Sequence, residues 1–265
     1  MIEKITSPQN PKIKDIIKLQ QKSSERKKQK LIVIEGLREI KLAMKAGVQL
    51  KTVFVCSEII SLDAVMLELK NKDKYYEISI NIYNKIAYRG STEGVLALAE
   101  PKHFNLSDIK LRKNPLVIIL ESVEKPGNLG AILRTADAAN ADAVIICDSL
   151  TDIYNPNVIR SSVGCVFTNQ IATCSTDETI QWLKEKGIKS CAAALTATKY
   201  YHETDLSGSV AIVMGTEADG LTEKWLKGTD EQIIIPMSGE IDSLNVSTST
   251  AILVFEAMRQ RNFYK

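Results

Sequence analysis

The sequence has 265 residues, of which 45% are hydrophobic and 25% are charged, and its net charge at pH 7 is +2. This composition is typical of a globular protein and excludes a disordered or fibrous chain. The length suggests about two domains. No apolar run approaches the ~20 residues that a membrane span needs. The first fifteen residues contain no apolar segment, so we expect neither a membrane anchor nor a secretory signal.

The cysteines and histidines argue against a metal site. Five cysteines are scattered along the chain without a Cys-x-x-Cys pair, and the only histidines are His103 and His202. Zinc sites usually draw on closely spaced Cys and His ligands, so we predict no metal. Unpaired cysteines in or beside apolar runs are typical of a reducing compartment, which predicts a cytoplasmic protein.

The charges are unevenly distributed. Residues 1–100 carry 18 basic and 12 acidic side chains, whereas residues 101–265 carry 16 and 20. The excess is concentrated in residues 1–30, with nine basic and three acidic side chains. Such an asymmetry indicates that the N-terminal part meets a polyanion such as a nucleic acid. A solvated, charged helix is the alternative explanation.

The first hundred residues predict a small α/β domain. Residues 12–30 form a basic segment whose Ile13, Ile16, Ile17 and Leu19 lie near helical spacing. Strands and helices then alternate, which is typical of an α/β fold. The predicted strands are 31–36, 52–56, 75–79 and 94–100, and the predicted helices are 38–46, 61–70 and 81–87.

Residues 101–114 are polar, Lys-rich and bounded by prolines, which predicts a linker between domains 1–100 and 115–265. The second domain begins with strand 116–123, whose first five residues are all apolar, as is typical of a sheet that is covered on both faces. The alternation that follows predicts a doubly wound, mainly parallel sheet. Its further strands are 143–147, 170–174, 190–195, 210–215 and 233–235, and its helices are 128–139, 155–163, 177–187, one from about 222 and a final one. In the final helix, Ala251, Val254, Phe255 and Met258 can share one face.

Three loops of this second domain concentrate polar residues at strand ends. In the first, Asn128 occupies the expected helix N-cap and Arg134 projects from an otherwise small and apolar helix. In the second, Gly215 and Gly220 bracket Glu217. The glycine spacing is not G-x-G-x-x-G, which argues against a dinucleotide-dependent oxidoreductase.

The third loop precedes the final helix and contains Ser243, Asn245, Ser247 and Ser249. These residues can hold a ligand at a helix N-terminus, or they can simply cap the helix. All three loops lie at the carboxyl ends of strands in one α/β sheet, where open sheets bind their ligands. We therefore expect them to form one site.

Taken together, the three loops resemble the signature motifs of the SpoU (TrmH) family of RNA ribose 2'-O-methyltransferases. The motifs are Asn128-x-Gly130-x-x-x-Arg134, Gly215-x-Glu217-x-x-Gly220-Leu221, and residues 235–247 with Pro236, Ser243, Leu244 and Asn245. Residues 155–164 also look like this family, and the basic first hundred residues are similar to its N-terminal substrate-binding domain.

The resemblance implies an α/β protein with a C-terminal α/β-knot domain of the SPOUT type, in which a mainly parallel sheet contains a deep trefoil knot. A small αβα RNA-binding domain would precede it. The cofactor would be S-adenosyl-L-methionine. By motif position, the cofactor contacts would be Gly215, Ile235 and Leu244, with Leu195 and Thr196 at the border of the site.

The resemblance also implies roles in catalysis. Arg134 would stabilise the developing 2'-alkoxide and grip the adjacent phosphate, while either Arg134 or solvent removes the proton. Asn128 and Glu217 would orient Arg134 or the ribose. Ser243 and Asn245 would position the phosphate and the 2'-hydroxyl.

Family membership further implies a homodimer with the final helix in the interface. We predict RNA contacts at Arg160, Lys12, Lys14 and Arg26. The separate N-terminal domain favours ribosomal RNA, in particular 23S RNA, as the substrate. A tRNA 2'-O-methyltransferase and a non-catalytic RNA-binding protein on the same fold are the alternatives.

Overall fold

The computed structural model describes residues 2–70, 74–88 and 93–263. The chain divides into two compact units: Met1–Lys102 with Ile153–Thr168, and His103–Asp152 with Asn169–Lys265. The two domains and the linker expected from the sequence stay a prediction. The compact units differ from the predicted domains because residues 153–168 belong to the first unit.

The secondary structure alternates between strands and helices along most of the chain. In the first hundred residues the elements are β1 (Glu3–Ile5), α1 (Pro11–Gln21), α2 (Ser23–Gln29), β2 (Ile32–Glu35), α3 (Leu37–Lys45), β3 (Leu50–Val55), α4 (Leu62–Leu69), β4 (Lys74–Ile78), α5 (Ile80–Ile86) and β5 (Val95–Ala99). They continue with β6 (Leu116–Glu121), α6 (Pro126–Ala138), β7 (Ala143–Cys147), α7 (Pro156–Ser161), β8 (Ile171–Cys174), α8 (Thr176–Lys186), β9 (Lys189–Ala193), β10 (Val210–Met214), α9 (Glu223–Gly228), β11 (Glu231–Ile233) and α10 (Val246–Gln260).

The first unit is built around a five-stranded sheet of order β1-β4-β3-β5-β2. Strand β5 is antiparallel to both β2 and β3, and the other pairs are parallel. Helix α1 buries Ile13, Ile16 and Leu19, as the helical spacing predicts. Strand β1 was not predicted, because it has three residues and buries only Ile5.

Arg26 has a structural position, which corrects the RNA-binding role expected from the sequence. Its side chain is buried and its guanidinium donates hydrogen bonds to the backbone carbonyls of Leu19 and Gln20. The last carbonyls of a helix lack partners within the helix, and a basic side chain can supply them. Arg26 therefore satisfies carbonyls in the last turn of α1.

The second unit contains a six-stranded sheet of order β11-β9-β10-β6-β7-β8, and every pair in it is parallel. The mainly parallel sheet predicted for this part of the chain is thus confirmed. In β6, Val117 and Ile119 join one core cluster together with Trp182 of α8 and Trp225 of α9. The alternate residues Leu116, Ile118 and Leu120 are equally buried. Because alternate residues point to opposite faces, both faces of this sheet are covered.

The packed face of α10 lies beside the face that the helical spacing singles out. Ala251, Val254, Phe255 and Met258 lie in α10 at that spacing, but only Val254 of the four is buried and Phe255 is 42% exposed. Threonine and alanine also contribute to the packed face, which is therefore centred about one position away. The buried residues are Val246, Thr250, Leu253, Val254 and Ala257.

The segment before α10 runs beside the residues that follow β9. The carbonyl of Ile233 accepts from the Ala194 amide, and Ile234 exchanges backbone hydrogen bonds with Lys199 and Tyr201. Strand β11 begins at Glu231, two residues before the predicted strand 233–235. Among the described residues, no helix is long and apolar enough to cross a membrane.

The end of α10 is fastened to two distant parts of the second unit. The Gln260 side chain accepts from the Leu206 amide and donates to the Thr204 carbonyl. The Arg261 guanidinium donates hydrogen bonds to the backbone carbonyls of four residues: Asn114, Pro115, Leu206 and Gly208. Burial lowers the pKa of Arg261, yet these carbonyls satisfy its guanidinium.

Candidate active site

A cavity of about 570 Å³ opens at the carboxyl ends of β9, β10 and β11. Its size falls in the range of small-molecule sites, about 300–1,000 Å³. All five residues predicted to contact a cofactor line this cavity: Leu195, Thr196, Gly215, Ile235 and Leu244. Glu217, Ser243 and Asn245 line it as well, whereas Asn128 and Arg134 are not among its lining residues.

The turn after β10 needs a glycine at its first position. A Cβ atom on Gly215 would lie 2.2 Å from the carbonyl group of Gly220 and 2.5 Å from the amide of Leu221. Thr216 donates its amide to the Gly220 carbonyl at 2.9 Å, and Gly220 itself has a positive φ of 68°. The backbone therefore doubles back tightly, which fixes the position of Glu217 at the tip.

Asn245 caps α10 and also joins the other two loops. Its Oδ1 accepts from the amide and the hydroxyl of Ser247, at 3.0 and 2.6 Å. Its Nδ2 donates to Oδ1 of Asn128 at 3.2 Å and to Oε1 of Glu217 at 3.4 Å. Capping, one of the two explanations of the polar run before α10, is thus confirmed for Asn245, and the role of this run in a ligand site stays a prediction.

Asn128 is not the N-cap that the sequence predicted. Helix α6 starts two residues earlier, with Lys125 as the N-cap and Pro126 at the first helical position. Proline is favoured there because its missing N–H has no helical partner to lose. Asn128 stands in the first turn, where its Oδ1 meets Asn245. Its Nδ2 is buried and no hydrogen-bond partner is found for it among the described residues, an arrangement that costs free energy until an acceptor reaches it.

Arg134 and Ser243 are exposed, each with few protein contacts. The buried residues of α6, including Leu129, Ile132 and Leu133, pack inward as predicted. Within the described part of the chain, no hydrogen bond is found for the side chain of Arg134. The hydroxyl of Ser243 donates to Oδ1 of Asp242 at 3.0 Å. The Arg134 guanidinium is thus available to an external anion.

Sequence reasoning missed two residues that support the site. The ammonium group of Lys125 forms an ion pair with Oε2 of Glu217. Glu121 is buried at the end of β6 and accepts from the amide and hydroxyl of Thr222, at 2.8 and 2.7 Å. A carboxylate at the end of a wholly apolar strand was the available signal for Glu121, because such a group needs buried donors.

The predicted RNA-binding residues lie in the first unit. Lys14 is exposed, and Lys12 is 42% exposed with its ammonium 5.0 Å from the Tyr76 ring centre. Arg160 is exposed, stacks over the ring of Tyr88 and donates to that residue's carbonyl at 2.5 Å. It also lines a small cavity that contains three glutamates, Glu35, Glu39 and Glu93. Burial raises the pKa of Glu39, and repulsion from Glu93 and Glu35 adds to the shift.

The cavity suits S-adenosyl-L-methionine in the chemistry of its lining. Leu195, Ile235 and Leu244 offer apolar surfaces for a flat adenine ring, and the absence of a side chain at Gly215 keeps the backbone close. No group of three or more His, Cys, Asp or Glu residues that could hold a metal ion occurs in the described ranges.

Comparison with known proteins identifies the class. Residues 115–255 match the SpoU rRNA Methylase family, and residues 10–97 match the MRM3-like substrate binding domain. The fold and the site therefore define a methyltransferase that uses S-adenosyl-L-methionine, with the α/β-knot fold of the SPOUT enzymes and its deep trefoil knot.

The chain is also similar to individual members of this family, in one case along nearly its whole length. It is 30% identical over 254 residues to the 23S rRNA (guanosine(2553)-2'-O)-methyltransferase RlmP of Bacillus subtilis, covering 96% of this chain and 98% of the relative. It is 38% identical over 181 residues to RlmB of Vibrio vulnificus, a 23S rRNA (guanosine-2'-O-)-methyltransferase, covering 66% of this chain and 73% of that one.

Two solved structures extend the comparison. An RNA 2'-O ribose methyltransferase shares 37% identity with a TM-score of 0.86, covering 98% of this chain and 99% of that one. The AdoMet-bound rRNA methyltransferase of Sinorhizobium meliloti shares 30% identity with a TM-score of 0.89, covering 97% and 98%. The chain belongs to the SpoU family of RNA ribose 2'-O-methyltransferases.

Proposed function

We propose that this protein methylates the 2'-hydroxyl of a guanosine in 23S ribosomal RNA. The observation that carries the proposal is the contact of Asn245 with both Asn128 and Glu217 beside the cofactor cavity. The relatives from Bacillus subtilis and Vibrio vulnificus are named for 23S rRNA guanosine, which supports this choice over tRNA.

The reaction is an in-line displacement in which a C–O bond forms, the sulfur–methyl bond breaks and the hydroxyl proton goes to water. When bound, S-adenosyl-L-methionine supplies the electrophilic methyl carbon. Arg134 stabilises the negative charge that develops on the 2'-oxygen and binds the neighbouring phosphate. A guanidinium suits both tasks, because it stays charged and presents several donors in one plane.

The other residues of the site hold the ribose. Asn128 offers its unpaired Nδ2 to the ribose or its phosphate, while Asn245 and Glu217 fix the orientation of Asn128. Ser243 contacts the phosphate through its exposed hydroxyl. Gly215, Ile235, Leu244, Leu195 and Thr196 hold the cofactor. Most of the acceleration comes from aligning the two reactants.

RNA binding begins at the first unit. Lys12 and Lys14 of α1 contact phosphates through their ammonium groups, and Arg160 is a further candidate. Arg26 is left out of this set because its guanidinium is buried. Phosphate contacts of this kind strengthen binding without selecting the sequence.

The protein acts as a cytoplasmic homodimer with α10 in the interface. Support comes from apolar side chains exposed in the second unit: Leu195 is 60% exposed, Tyr200 43% and Phe255 42%. Apolar surface of this kind is commonly covered by a partner. Sedimentation of the wild type and of Phe255→Glu tests this, with a monomeric variant expected and an unchanged dimer contradicting the placement.

The experiment that tests the function is transfer of tritium from labelled S-adenosyl-L-methionine to 23S rRNA and, separately, to bulk tRNA. We expect label on 23S rRNA with the wild type and a loss of about 100-fold or more with Arg134→Ala. Label on tRNA alone would show that the substrate is tRNA and not 23S rRNA. Full transfer by Arg134→Ala would refute the role of Arg134, and cofactor binding without any transfer would favour a non-catalytic RNA-binding protein.

A further inference from the structure

Lys125 places a positive charge at the edge of the active site. It is the N-cap of α6, three residues before Asn128, and its side chain is 69% exposed. The Lys125 carbonyl accepts from the amides of Asn128 and Leu129 at 3.0 and 3.1 Å, so its backbone is held by the first turn. The backbone from which the Lys125 side chain extends is therefore fixed relative to Asn128.

Glu217 is held between two partners from different loops. One carboxylate oxygen pairs with Lys125, and the other accepts from Nδ2 of Asn245 at 3.4 Å. The side chain of Glu217 is 29% exposed, so both partners meet it in a partly dehydrated place. Within the described residues, Lys125 is the one cation that forms an ion pair with Glu217.

The ion pair also closes a small circuit. Lys125 forms an ion pair with Glu217, and Glu217 accepts a hydrogen bond from Asn245. Asn245 in turn donates to Asn128, which lies in the same helix turn as Lys125. The tight turn fixes the backbone of Glu217 but not its side-chain torsion angles. A partner is needed to select one rotamer of this side chain.

We propose that Lys125 is a positioning residue for methyl transfer. Its ammonium group holds Glu217 in the rotamer that receives Asn245. Lys125 acts through Glu217 and does not contact the reacting atoms. The inference rests on the role proposed above for Glu217.

An exposed ion pair adds little to stability, so loss of Lys125 leaves the fold intact. The consequence appears in turnover, because a misplaced orienting group lowers the fraction of aligned complexes. For Lys125→Met we expect kcat to fall at least about tenfold, with the KM for RNA and the Kd for S-adenosyl-L-methionine within about twofold of wild type. Lys125→Arg restores most of kcat, because it keeps a charged donor.

The test measures kcat and KM for 23S rRNA with wild type, Lys125→Met, Lys125→Arg, Glu217→Gln and the double variant Lys125→Met/Glu217→Gln. Lys224→Met is the matched control, since Lys224 also forms an exposed ion pair, with Asp177, in the same unit. If Lys125 acts through Glu217, the double variant is no slower than Glu217→Gln alone.

Three outcomes would overturn the inference. If Lys125→Met has the wild-type kcat while Glu217→Gln is impaired, the role of Lys125 is refuted and the proposed function is unaffected. A higher KM for RNA with unchanged kcat makes Lys125 a phosphate contact instead. Full activity of Glu217→Gln removes the role of Glu217 and the inference together, while transfer by the wild type still upholds the proposed function.

Discussion

Nδ2 of Asn245 lies 3.2 Å from Oδ1 of Asn128, although 117 residues separate the two in sequence. One residue caps the last long helix, and the other stands in the first turn of α6. The contact joins the start of the methyltransferase unit to its end at the point where the ribose is proposed to bind. Its disruption should therefore affect catalysis more than stability.

Asn245→Ser separates the two tasks of this residue. Serine is a good N-cap, so we expect the free energy of unfolding to change by less than about 0.5 kcal/mol. Its short hydroxyl cannot reach Asn128 and Glu217, so kcat should fall at least about tenfold. Urea unfolding and single-turnover methylation measure the two quantities.

Asn245→Ala is the companion variant, because it removes the cap as well. It should lose about 1 kcal/mol of stability in addition to the activity. Normal activity in Asn245→Ser would show that the contact with Asn128 is dispensable.

Gly215→Ala should damage the cofactor cavity. The new Cβ would lie 2.2 Å from the backbone of Gly220, and backbone cannot move aside cheaply. We expect a loss of about 1–3 kcal/mol in stability and a weaker affinity for S-adenosyl-L-methionine, measured by calorimetry. Gly208→Ala is the control, since nothing lies within 4 Å of its Cβ position. Equal cofactor affinity in both variants would argue against the close packing at Gly215.

Asp142 makes the stability of the second unit depend on pH. Burial alone would raise its pKa, but hydrogen bonds from the side chain and amide of Arg112 and from the Leu116 amide outweigh burial and lower it. A lowered carboxyl pKa stabilises the fold above the unfolded value of about 3.9, and this stabilisation is lost as pH falls through the folded pKa.

Asp142→Asn should therefore cost about 2 kcal/mol at pH 7. The difference from wild type should shrink as the pH falls below about 4, because the carboxyl of the unfolded chain then binds a proton that the folded carboxyl, with its lowered pKa, still excludes. Thermal unfolding of both proteins between pH 3 and 7 measures this. A difference that stays constant with pH would exclude the charge of Asp142 as the cause.

Lys12 and Lys14 should contribute to RNA affinity, and Arg26 should not. In the double variant Lys12→Gln/Lys14→Gln, the slope of log K against log salt should fall in magnitude by about 1.5. In Arg26→Gln the slope should be unchanged while stability drops, because the carbonyls of Leu19 and Gln20 lose their donor. Filter binding to 23S rRNA fragments at several KCl concentrations gives the slopes. A reduced slope in Arg26→Gln would return this residue to the RNA-binding set.

The elements of the fold were largely predictable because strand and helix periods are local. Apolar runs such as residues 116–120 and 210–214 identified the buried parallel strands, and the helix faces of α1 and α6 followed from spacing. Boundaries were less certain. Helix α6 starts at Pro126 because proline is compatible with a first helical position, so the polar Asn128 was a misleading cap signal.

The site was predictable only as a set of residues. The motifs named Asn128, Glu217 and Asn245, but no local pattern states that one amide donates to both of the others. Lys125 escaped notice for the same reason, since its partner is 92 residues away. Burial of Arg26 was also hidden, because a basic residue in a basic segment reads as a surface residue.

The fastening of Gln260 and Arg261 to residues 114–115 and 204–208 has a consequence during synthesis on the ribosome. A nascent chain made only as far as residue 240 has its sheet strands but lacks α10 and these two side chains. Contacts between residues so far apart in sequence form late and slowly. The methyltransferase unit can therefore complete its fold only after residue 261 has left the exit tunnel, and until then the apolar strands that α10 will cover are open to aggregation.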